Sequence, residues 1–275
     1  MPAPKGKYPE DSTFGRRIRE RALEKRMVGR YIAEKFLERG VTAFISDGSS
    51  TLYVGLALYR KALEWKDSDP FRGDIYTNNL ALANEYPLWD LPPDRKIPDV
   101  HVSIASGNVV TDLMMVSGID AQAYSKIRAE ASDCVIISVR NLFGDRGPTG
   151  RERESLEIKR SALEGAKNKK IIFVADYTKL LEVYNTRVMP LIYDSKTKWE
   201  EVMCRDSTYV ISTKPPDSTK KTLGHEVTQA ERRRYQRNRD FLHSNMNTDD
   251  YGREKQDYEK RFIEVDTSLR NKKGT

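Results

Sequence analysis

The sequence predicts an α/β fold, a doubly wound and mostly parallel sheet with charged extensions at both ends. Short apolar runs rich in β-branched residues recur along the 275-residue chain, as at 41–46 and 170–176. Such runs are typical of strands buried on both faces. Helical patterns separate them, and strands that alternate with helices form parallel sheets. No internal repeat is visible.

The individual elements follow from periodicity and from breaks. A helix is predicted from Phe14 to Arg39, because apolar residues recur at three- and four-residue spacing, and Gly40 ends it. Residues 142–152 form a glycine-rich loop, and residues 261–265 form either a strand or the end of a helix. The remaining helices are expected at 51–65, 121–132, 154–167 and 228–245, with a short one that runs from residue 80 to Glu85. The remaining strands are expected at 74–79, 101–107, 113–118, 134–139 and 207–213.

Charge divides the chain into three parts. The formal net charge of +7 combines +5 over residues 1–40 and +4 over 214–275 with −2 between them. We therefore predict a basic N-terminal arm at 1–24, disordered over its first 13 residues, and one α/β domain at 25–213. A charged helical extension with disordered parts follows at 214–275.

Composition excludes several classes of protein. The sequence contains no run of about 18 apolar residues, the length that a membrane-spanning helix needs. The start MPAPKGKYPE lacks the apolar core of a secretory signal. Two cysteines and three histidines cannot build a disulfide scaffold or a zinc module of the usual spacing. We expect a cytoplasmic protein without metal or cofactor.

The most informative segment is the turn DGSST, which joins the first predicted strand to the next helix. Backbone N–H groups converge at such a turn, and with the hydroxyls of Ser49, Ser50 and Thr51 they suit a phosphate or a carboxylate. An added Cβ at Gly48 would block the approach of a ligand to the backbone. Asp47 ends the strand and can bind sugar hydroxyls. An ordinary helix N-cap explains the same residues equally well.

Polar side chains also follow other predicted strands. In open α/β sheets, ligands bind outside the carboxyl ends of the strands, so these side chains can share one site. Lys179 can supply a point charge to a phosphate, and a surface lysine is the alternative interpretation. The site residues predicted at these ends are Thr77, Asn78, Asn79, Ser106, Gly107, Asp176 and Lys179.

These segments, in this order, resemble the C-terminal sensor domain of DeoR-type sugar-phosphate-responsive repressors. The turn DGSST stands where that family has an Asp-x-Gly-Thr-Thr phosphate loop, and YTNNLALANE where it has Thr-Asn-Ser before a short helix. SDCVIISV resembles its Ala-Asp strand, LEIKRSAL its Glu-x-Lys-Arg helix and VADYTKL its Asp-x-Ser-Lys segment. The resemblance covers about residues 25–213. It implies a Rossmann-like fold shared with ribose-phosphate isomerases, CoA transferases and initiation-factor regulatory subunits, and a ligand site that includes Lys159, Asp176 and Lys179.

The sequence also departs from that family. About two dozen residues precede the resembling region, too few for the family's winged helix-turn-helix, so we expect that domain to be lacking. Ser106-Gly107 replaces a Gly-Gly turn, serine replaces threonine in the phosphate loop, and the extension past residue 214 is longer than in the family. DNA binding by the family's own mechanism is therefore not expected.

Three functions stay open. The first is a regulatory protein that senses a phosphorylated sugar or a nucleotide-like metabolite. The second is a sugar-phosphate isomerase with Asp47, Asp133, Asp145 or Glu157 as its base. The Asp-Gly-Ala-Asp-Glu and Lys-Gly-x-Gly-Gly signatures of ribose-phosphate isomerases are absent, so we favour a non-enzymatic role. The third is a nucleic-acid-binding or scaffold protein that acts through basic ends such as RRRYQRN at 232–238.

The expected partners are a phosphorylated small molecule and further copies of this chain. The predicted helix has an apolar face at 27–37 that must be buried on its own sheet or on a partner, and we predict self-association through it. A separate regulatory chain, or weak and sequence-independent binding of nucleic acid, would take the place of the lacking DNA-binding domain. No contact with a membrane is expected.

Overall fold

A computed structural model gives the fold of the chain. It describes residues 8–65, 69–85, 98–181, 189–192, 199–215, 227–248, 253–256 and 260–266. The helices are α1 (Thr13–Arg19), α2 (Ala22–Phe36), α3 (Ser49–Leu63), α4 (Leu80–Glu85), α5 (Ile119–Ala131), α6 (Arg153–Gly165), α7 (Trp199–Met203) and α8 (Gln229–Met246), and a 3-10 turn spans Tyr177–Leu180. The strands are β1 (Val41–Ile45), β2 (Arg72–Thr77), β3 (Asp99–Ile104), β4 (Asn108–Val110), β5 (Met115–Ser117), β6 (Cys134–Ser138), β7 (Asn141–Phe143), β8 (Gly147–Gly150), β9 (Lys170–Val174), β10 (Met189–Pro190), β11 (Thr208–Thr213) and β12 (Phe262–Val265).

Seven parallel strands form the central sheet in the order β12-β11-β9-β6-β1-β2-β3. The chain begins in the middle at β1, extends through β2 to the edge strand β3, and returns to the other side of β1. There it adds β6, β9, β11 and β12. This order confirms the predicted doubly wound sheet. Its direction of growth reverses between β1 and β6, and such a switch point leaves a crevice at the carboxyl ends of the two strands.

Helices cover both faces of the sheet, and side chains alternate between the two faces along each strand. Ala43 and Ile45 of β1 belong to the apolar cluster that includes α1, α2 and α3, whereas Phe44 belongs to the cluster that includes α6, α7 and α8. In β6, Ile136 belongs to the first of these clusters and Ile137 to the second. Because these strands are buried on both sides, they read as continuous apolar runs. None of the described helices has the length and apolarity that crossing a membrane would need.

The N-terminal region forms two helices, where the apolar spacing predicted one from Phe14 to Arg39. Arg21 between α1 and α2 is left-handed, with φ 53° and ψ 37°. That conformation costs a non-glycine residue about 1–2 kcal/mol. It lets Phe14 and Ile18 of α1 reach the same apolar cluster as α2. No proline or glycine marks the turn, so the spacing alone could not indicate it.

Parts of the predicted arm and extension belong to this fold. Tyr8 is buried, and its ring packs edge-on against Phe14 at 5.1 Å between centroids. The domain boundaries at 24/25 and 213/214 stay predictions. The rest of the two predicted end regions lies outside the described residues, at 1–7, 216–226, 249–252, 257–259 and 267–275.

Two short elements differ from the predicted ones, and a third settles an open alternative. The strand predicted at 113–118 is reduced to β5, which pairs antiparallel with β4 outside the central sheet. The loop predicted at 142–152 contains β7 and β8, which form a small antiparallel sheet with β10. Residues 261–265, for which strand and helix were both open, contribute β12 at the edge of the central sheet.

A single asparagine joins the end of α8 to β12. The side-chain oxygen of Asn247 accepts hydrogen bonds from the backbone N–H groups of Arg261 (2.9 Å) and Phe262 (2.8 Å). Its amide group donates to the Phe262 carbonyl (2.7 Å). Together with the buried Tyr235 and Met246 of α8, this side chain ties the C-terminal region to the sheet.

Replacing Asn247 with alanine leaves three buried backbone groups without these partners. Each such group costs about 1–3 kcal/mol, so Asn247→Ala should lower the free energy of unfolding by about 3 kcal/mol or more in urea titrations. Asn245→Ala is the matched control, since that exposed side chain donates to the Phe241 carbonyl, and its effect should stay within about 0.5 kcal/mol. Equal unfolding midpoints for the two variants would contradict this role.

Candidate functional site

Three neighbouring strands end beside the switch point. β1 leads into Asp47 and Gly48, after which α3 begins at Ser49; β6 ends at Ser138, and Asp176 follows β9. Neighbouring strands lie about 4.8 Å apart. The ends of β1 and β9, which flank β6, are therefore about 10 Å apart. The side chains predicted at these strand ends do share one edge of the sheet.

Asp47 is buried and both of its carboxylate oxygens have partners. Oδ1 accepts from the side-chain amide of Asn78 (3.1 Å); Oδ2 accepts from the Ser155 hydroxyl (2.6 Å) and lies 3.4 Å from the Lys159 ammonium. The backbone N–H of Asp47 donates to Asn78 Oδ1 (2.8 Å), and its carbonyl accepts from the Ser138 hydroxyl (2.6 Å). Asp47 thus joins β1 to β6, to α6 and to the end of β2. Oδ1 keeps capacity for one more hydrogen bond, but the Asp47 side chain is buried.

Three of the predicted binding residues hold the loop around Gly48. The Thr51 hydroxyl lies 2.7 Å from the Ser46 carbonyl oxygen and 2.9 Å from that of Gly48. The Thr77 hydroxyl donates to a carbonyl of β1 (2.6 Å), and the Asn79 amide donates to the Gly48 carbonyl (3.1 Å). All three side chains are fully buried. These side chains hold the backbone of the loop and of the end of β1 through carbonyl groups.

Gly48 is required by the protein's own packing. Its φ of +123° is one that side-chain-bearing residues rarely adopt, and an added Cβ would clash with the Ser138 hydroxyl. On the sequence alone, we expect an added Cβ at Gly48 to block a ligand. In the structure it meets Ser138 of β6 first. A Gly48→Ala change would disturb the loop whether or not a ligand binds there.

The first turn of α3 keeps hydrogen-bond donors available. The first helical backbone bond runs from the Leu52 N–H to the Gly48 carbonyl (3.1 Å), so the N–H groups of Ser49, Ser50 and Thr51 precede it. Ser49 and Ser50 are 7% and 6% exposed. Within the part of the chain that the structure describes, their hydroxyls make no hydrogen bond. These are the donors that an anion at this helix end would use.

A second charged cluster follows β9. Asp176 is 1% exposed, and Oδ1 accepts from the backbone N–H (3.1 Å) and the hydroxyl of Thr178. Oδ2 has no hydrogen-bond partner among the described residues. Burial alone would raise the pKa of Asp176, but the positive charges of Lys179 and Lys25 and the Thr178 hydrogen bonds hold it below its ordinary value. Asp176 is therefore a carboxylate with one open acceptor at neutral pH.

The N-terminal helices add charged groups that the sequence analysis did not assign to the site. Arg17 of α1 pairs with Glu152, which precedes α6, and the Lys25 ammonium of α2 donates to the Arg17 carbonyl. Burial would raise the pKa of Glu152, but the hydrogen bond and charge of Arg17, with the charge of Lys159, hold it below its ordinary value. α1 is thus linked to α6 on one side and to the Asp176 cluster on the other.

Two predicted site residues stay apart from these clusters. Ser106 and Gly107 follow β3, two strands away from β1, and both are exposed. Gly107 has φ +142°, and an added Cβ would clash with the Ser117 carbonyl oxygen of the β4–β5 hairpin. A tight turn into that hairpin explains this glycine without a ligand.

Four residues of the site were not predicted. Ser138 and Ser155 carried a signal, because Ser138 ends a predicted strand and Ser155 lies four residues before Lys159 on one helix face. Arg17 and Lys25 carried none, because they stand among many charged residues near the N-terminus. No group of three or more histidine, cysteine, aspartate or glutamate side chains in the described ranges is arranged to hold a metal ion.

No protein-family model matches this chain, and no curated protein matches it. Among solved structures it is similar to the translation initiation factor eIF-2B of Pyrococcus horikoshii OT3, at 14% identity over 59% of this chain and 49% of that chain, with a TM-score of 0.37. It is also similar to ribose 5-phosphate isomerase from Plasmodium falciparum, at 12% identity over 57% of this chain and 52% of that chain, with a TM-score of 0.34. A third similar structure is eIF2B delta from Chaetomium thermophilum, at 15% identity over 57% of this chain and 48% of that chain, with a TM-score of 0.35. The chain spans about half the length of these proteins, and similarity this low assigns neither a family nor a function.

Replacing Lys159 with methionine leaves the buried Asp47 carboxylate without its cation. Removing one partner of a buried ion pair costs about 3–5 kcal/mol, and we expect Lys159→Met to lower the free energy of unfolding by that amount. Adding Asp47→Asn should restore part of the loss, because the uncompensated charge is then gone. Chemical denaturation of the single and double variants measures both effects.

Lys126→Met is the control for this cycle. Lys126 pairs with Glu164 across the surface of α5 and α6 at 3.1 Å, and exposed pairs contribute about 0–1 kcal/mol. If Lys159→Met were as stable as Lys126→Met, the Asp47–Lys159 pair would not be the anchor of the site.

Proposed function

We propose that this chain is a ligand-binding protein whose site at the switch point takes a phosphorylated sugar or a nucleotide-like metabolite. The observation that carries the proposal is the first turn of α3, where the hydroxyls of Ser49 and Ser50 have no hydrogen-bond partner among the described residues. Ser49 and Ser50 offer backbone N–H groups and hydroxyls there, while the buried Asp47 network holds the preceding loop in place. A helix N-terminus favours an anion through its dipole and its free N–H groups.

The Asp176 cluster suits the remainder of such a ligand. Its open carboxylate oxygen can accept a hydrogen bond from a sugar hydroxyl, and the strand spacing places it about 10 Å from the end of β1. A phosphorylated pentose is long enough to reach from the α3 turn to Asp176. Lys179 and Lys25 balance the negative charge that the ligand would bring near this carboxylate.

A sensing role is the part of the proposal that rests on resemblance. The order of motifs that resembles DeoR-type sensor domains supports a regulatory protein in which the metabolite alters contact with another chain. Self-association stays a prediction, but it loses its original support. The apolar face at 27–37, including Val28 and Ile32, is buried against α3 and β11 of the same chain. A second copy would have to use another surface.

Isomerase chemistry is the second candidate, and the open oxygen of Asp176 is the observation that favours it. The bases considered from sequence are placed less well. Asp47 is buried and its two carboxylate oxygens already have partners. Asp133 accepts from the Thr42 N–H (2.8 Å) at the start of β1, and Glu157 pairs with Arg153 at 2.7 Å. Because its pKa lies below the ordinary value, the Asp176 carboxylate is a weak base at neutral pH. We therefore place binding ahead of catalysis.

Binding of nucleic acid through the basic ends also stays a prediction. Several of the arginines concerned already have partners within the chain. Arg30 pairs with Glu34 at 2.6 Å, and Arg239 pairs with Glu264 at 2.9 Å. Arg234 donates to the Leu181 carbonyl (2.6 Å). The charge left for phosphate contacts is smaller than the sequence suggests.

Placing an aspartate at Ser50 tests the anion site. The new carboxylate would occupy the N–H groups of the turn and repel a phosphate, while the helix dipole favours an acidic residue in the first turn. We expect Ser50→Asp to keep or raise the thermal midpoint and to weaken ribose 5-phosphate at least tenfold. Isothermal titration calorimetry at pH 7.5 and low salt measures the affinity, after a thermal-shift screen of sugar phosphates and nucleotides.

The matched control introduces the same charge at another helix start. Ile119 is 83% exposed at the beginning of α5, which also follows a glycine N-cap, and Ile119→Asp should leave the affinity unchanged. Two results would contradict the proposed function: a screen in which no phosphorylated compound stabilises the protein, or equal losses of affinity in the two variants.

A further inference from the structure

Lys25 is a buried charge that the fold does not explain. It lies in the first turn of α2 and is 4% exposed. Among the described residues, its ammonium makes one hydrogen bond, to the Arg17 carbonyl. A lysine ammonium has three donors, and burying a charge without full compensation costs free energy. Burial lowers the pKa of Lys25 to about 8, although the nearby Asp176 opposes this shift.

The packing of α2 on α3 brings Lys25 to the level of the proposed anion site. Gly29 lies against the backbone of Tyr53, where an added Cβ would clash with the Tyr53 carbonyl oxygen. Farther along both helices, the Lys61 ammonium of α3 donates to the Ala33 (2.9 Å) and Leu37 carbonyls of α2. The two helices therefore run side by side in the same direction. One turn before these first contacts, Lys25 on α2 is level with the first turn of α3.

Asp176, in the turn after β9, is the acidic group whose charge acts most strongly on Lys25. Its Oδ2 is buried without a hydrogen-bond partner among the described residues, and the charges of Lys25 and Lys179 act on it. No direct ion pair joins either lysine to this carboxylate within the described ranges. Within the described ranges, the Lys179 ammonium has no hydrogen bond or ion pair, that of Lys25 has one carbonyl acceptor, and Asp176 Oδ2 has no hydrogen-bond partner. A molecule that carries both an anionic group and hydroxyl groups would satisfy all three.

We infer that Lys25 is a ligand-binding residue, so that the N-terminal helices supply a cation to the phosphate group held at the first turn of α3. This inference rests on the proposed function and extends its site to α2. The Arg17 carbonyl and the Arg17–Glu152 pair then have a positioning role, because they orient the lysine and tie α1 to α6. The ligand would be enclosed between α2, α3 and the turn after β9.

Lys25→Gln tests the charge while keeping a donor for the Arg17 carbonyl. At pH 7.5 we expect this variant to bind ribose 5-phosphate about 10- to 100-fold more weakly, as for the loss of a hydrogen bond to a charged group. Lys25→Met is the second uncharged variant, should Lys25→Gln fold poorly. It should lose the same affinity, because the positive charge is absent in both variants.

The pH dependence of binding provides a readout that a structural role would not change. Lys25 is charged below its pKa of about 8 and neutral above it, so the affinity of the unmodified protein should fall as the pH rises from 7.5 to 9.5. This fall should be largely absent in Lys25→Gln. The charged groups that face Lys25 are Asp176 and Lys179 after β9, Arg17 of α1, and Glu20 directly after α1. All of them are unchanged in the variant.

Lys61→Gln is the matched control, because Lys61 also donates to backbone carbonyls, at the far end of the same helix pair. It should leave the affinity within about twofold, even if it lowers stability. If Lys25→Gln binds ribose 5-phosphate as tightly as Lys61→Gln and keeps the pH dependence, the role of Lys25 is overturned and the proposed function stands. If the unmodified protein binds no phosphorylated compound, the proposed function fails, and this inference fails with it.

Discussion

The buried ion pair between Asp47 and Lys159 is the interaction on which the geometry of the site depends. Removing two charges from water is expensive, and a buried pair adds little net stability unless hydrogen bonds satisfy it. Here Ser155, Asn78 and Ser138 supply those hydrogen bonds. The pair therefore sets the relative positions of the ends of β1 and β6 and of α6. The conformation of Gly48 and the start of α3 follow from it.

On this frame, the chain gathers charges that folding alone does not favour. Asp176 keeps an oxygen without a partner, and Lys25 keeps a buried ammonium with a single carbonyl acceptor among the described residues. Buried groups that are poorly compensated reduce stability, and proteins tend to tolerate them where a ligand completes the interactions. A phosphorylated metabolite would supply both the anion and the hydroxyl donors. The free-energy cost of these buried groups and the affinity for the ligand then have one physical origin.

The sequence was a good guide to the sheet and to one side of the site. Continuous apolar runs predict buried parallel strands, and the DGSST turn lies where a strand meets a helix, because both features depend on local pattern. The break at Arg21 was missed because tertiary packing alone justifies its left-handed conformation. Lys25 was missed because a lysine in a highly charged segment is expected to be exposed to solvent. Its burial depends on how the N-terminal helices pack, which the local sequence does not reveal. Ser106 and Gly107 were included because their turn ends a strand, although that strand is at the edge.

The most direct test of the central claim is an NMR titration of the backbone amides with inorganic phosphate. The account predicts that the amide signals of Ser49 and Ser50 shift most and saturate together, because their N–H groups bind the anion. The amide of Ile119 at the start of α5 should shift little at the same phosphate concentration. Shifts of equal size at both helix starts, or none at Ser49 and Ser50, would contradict the account.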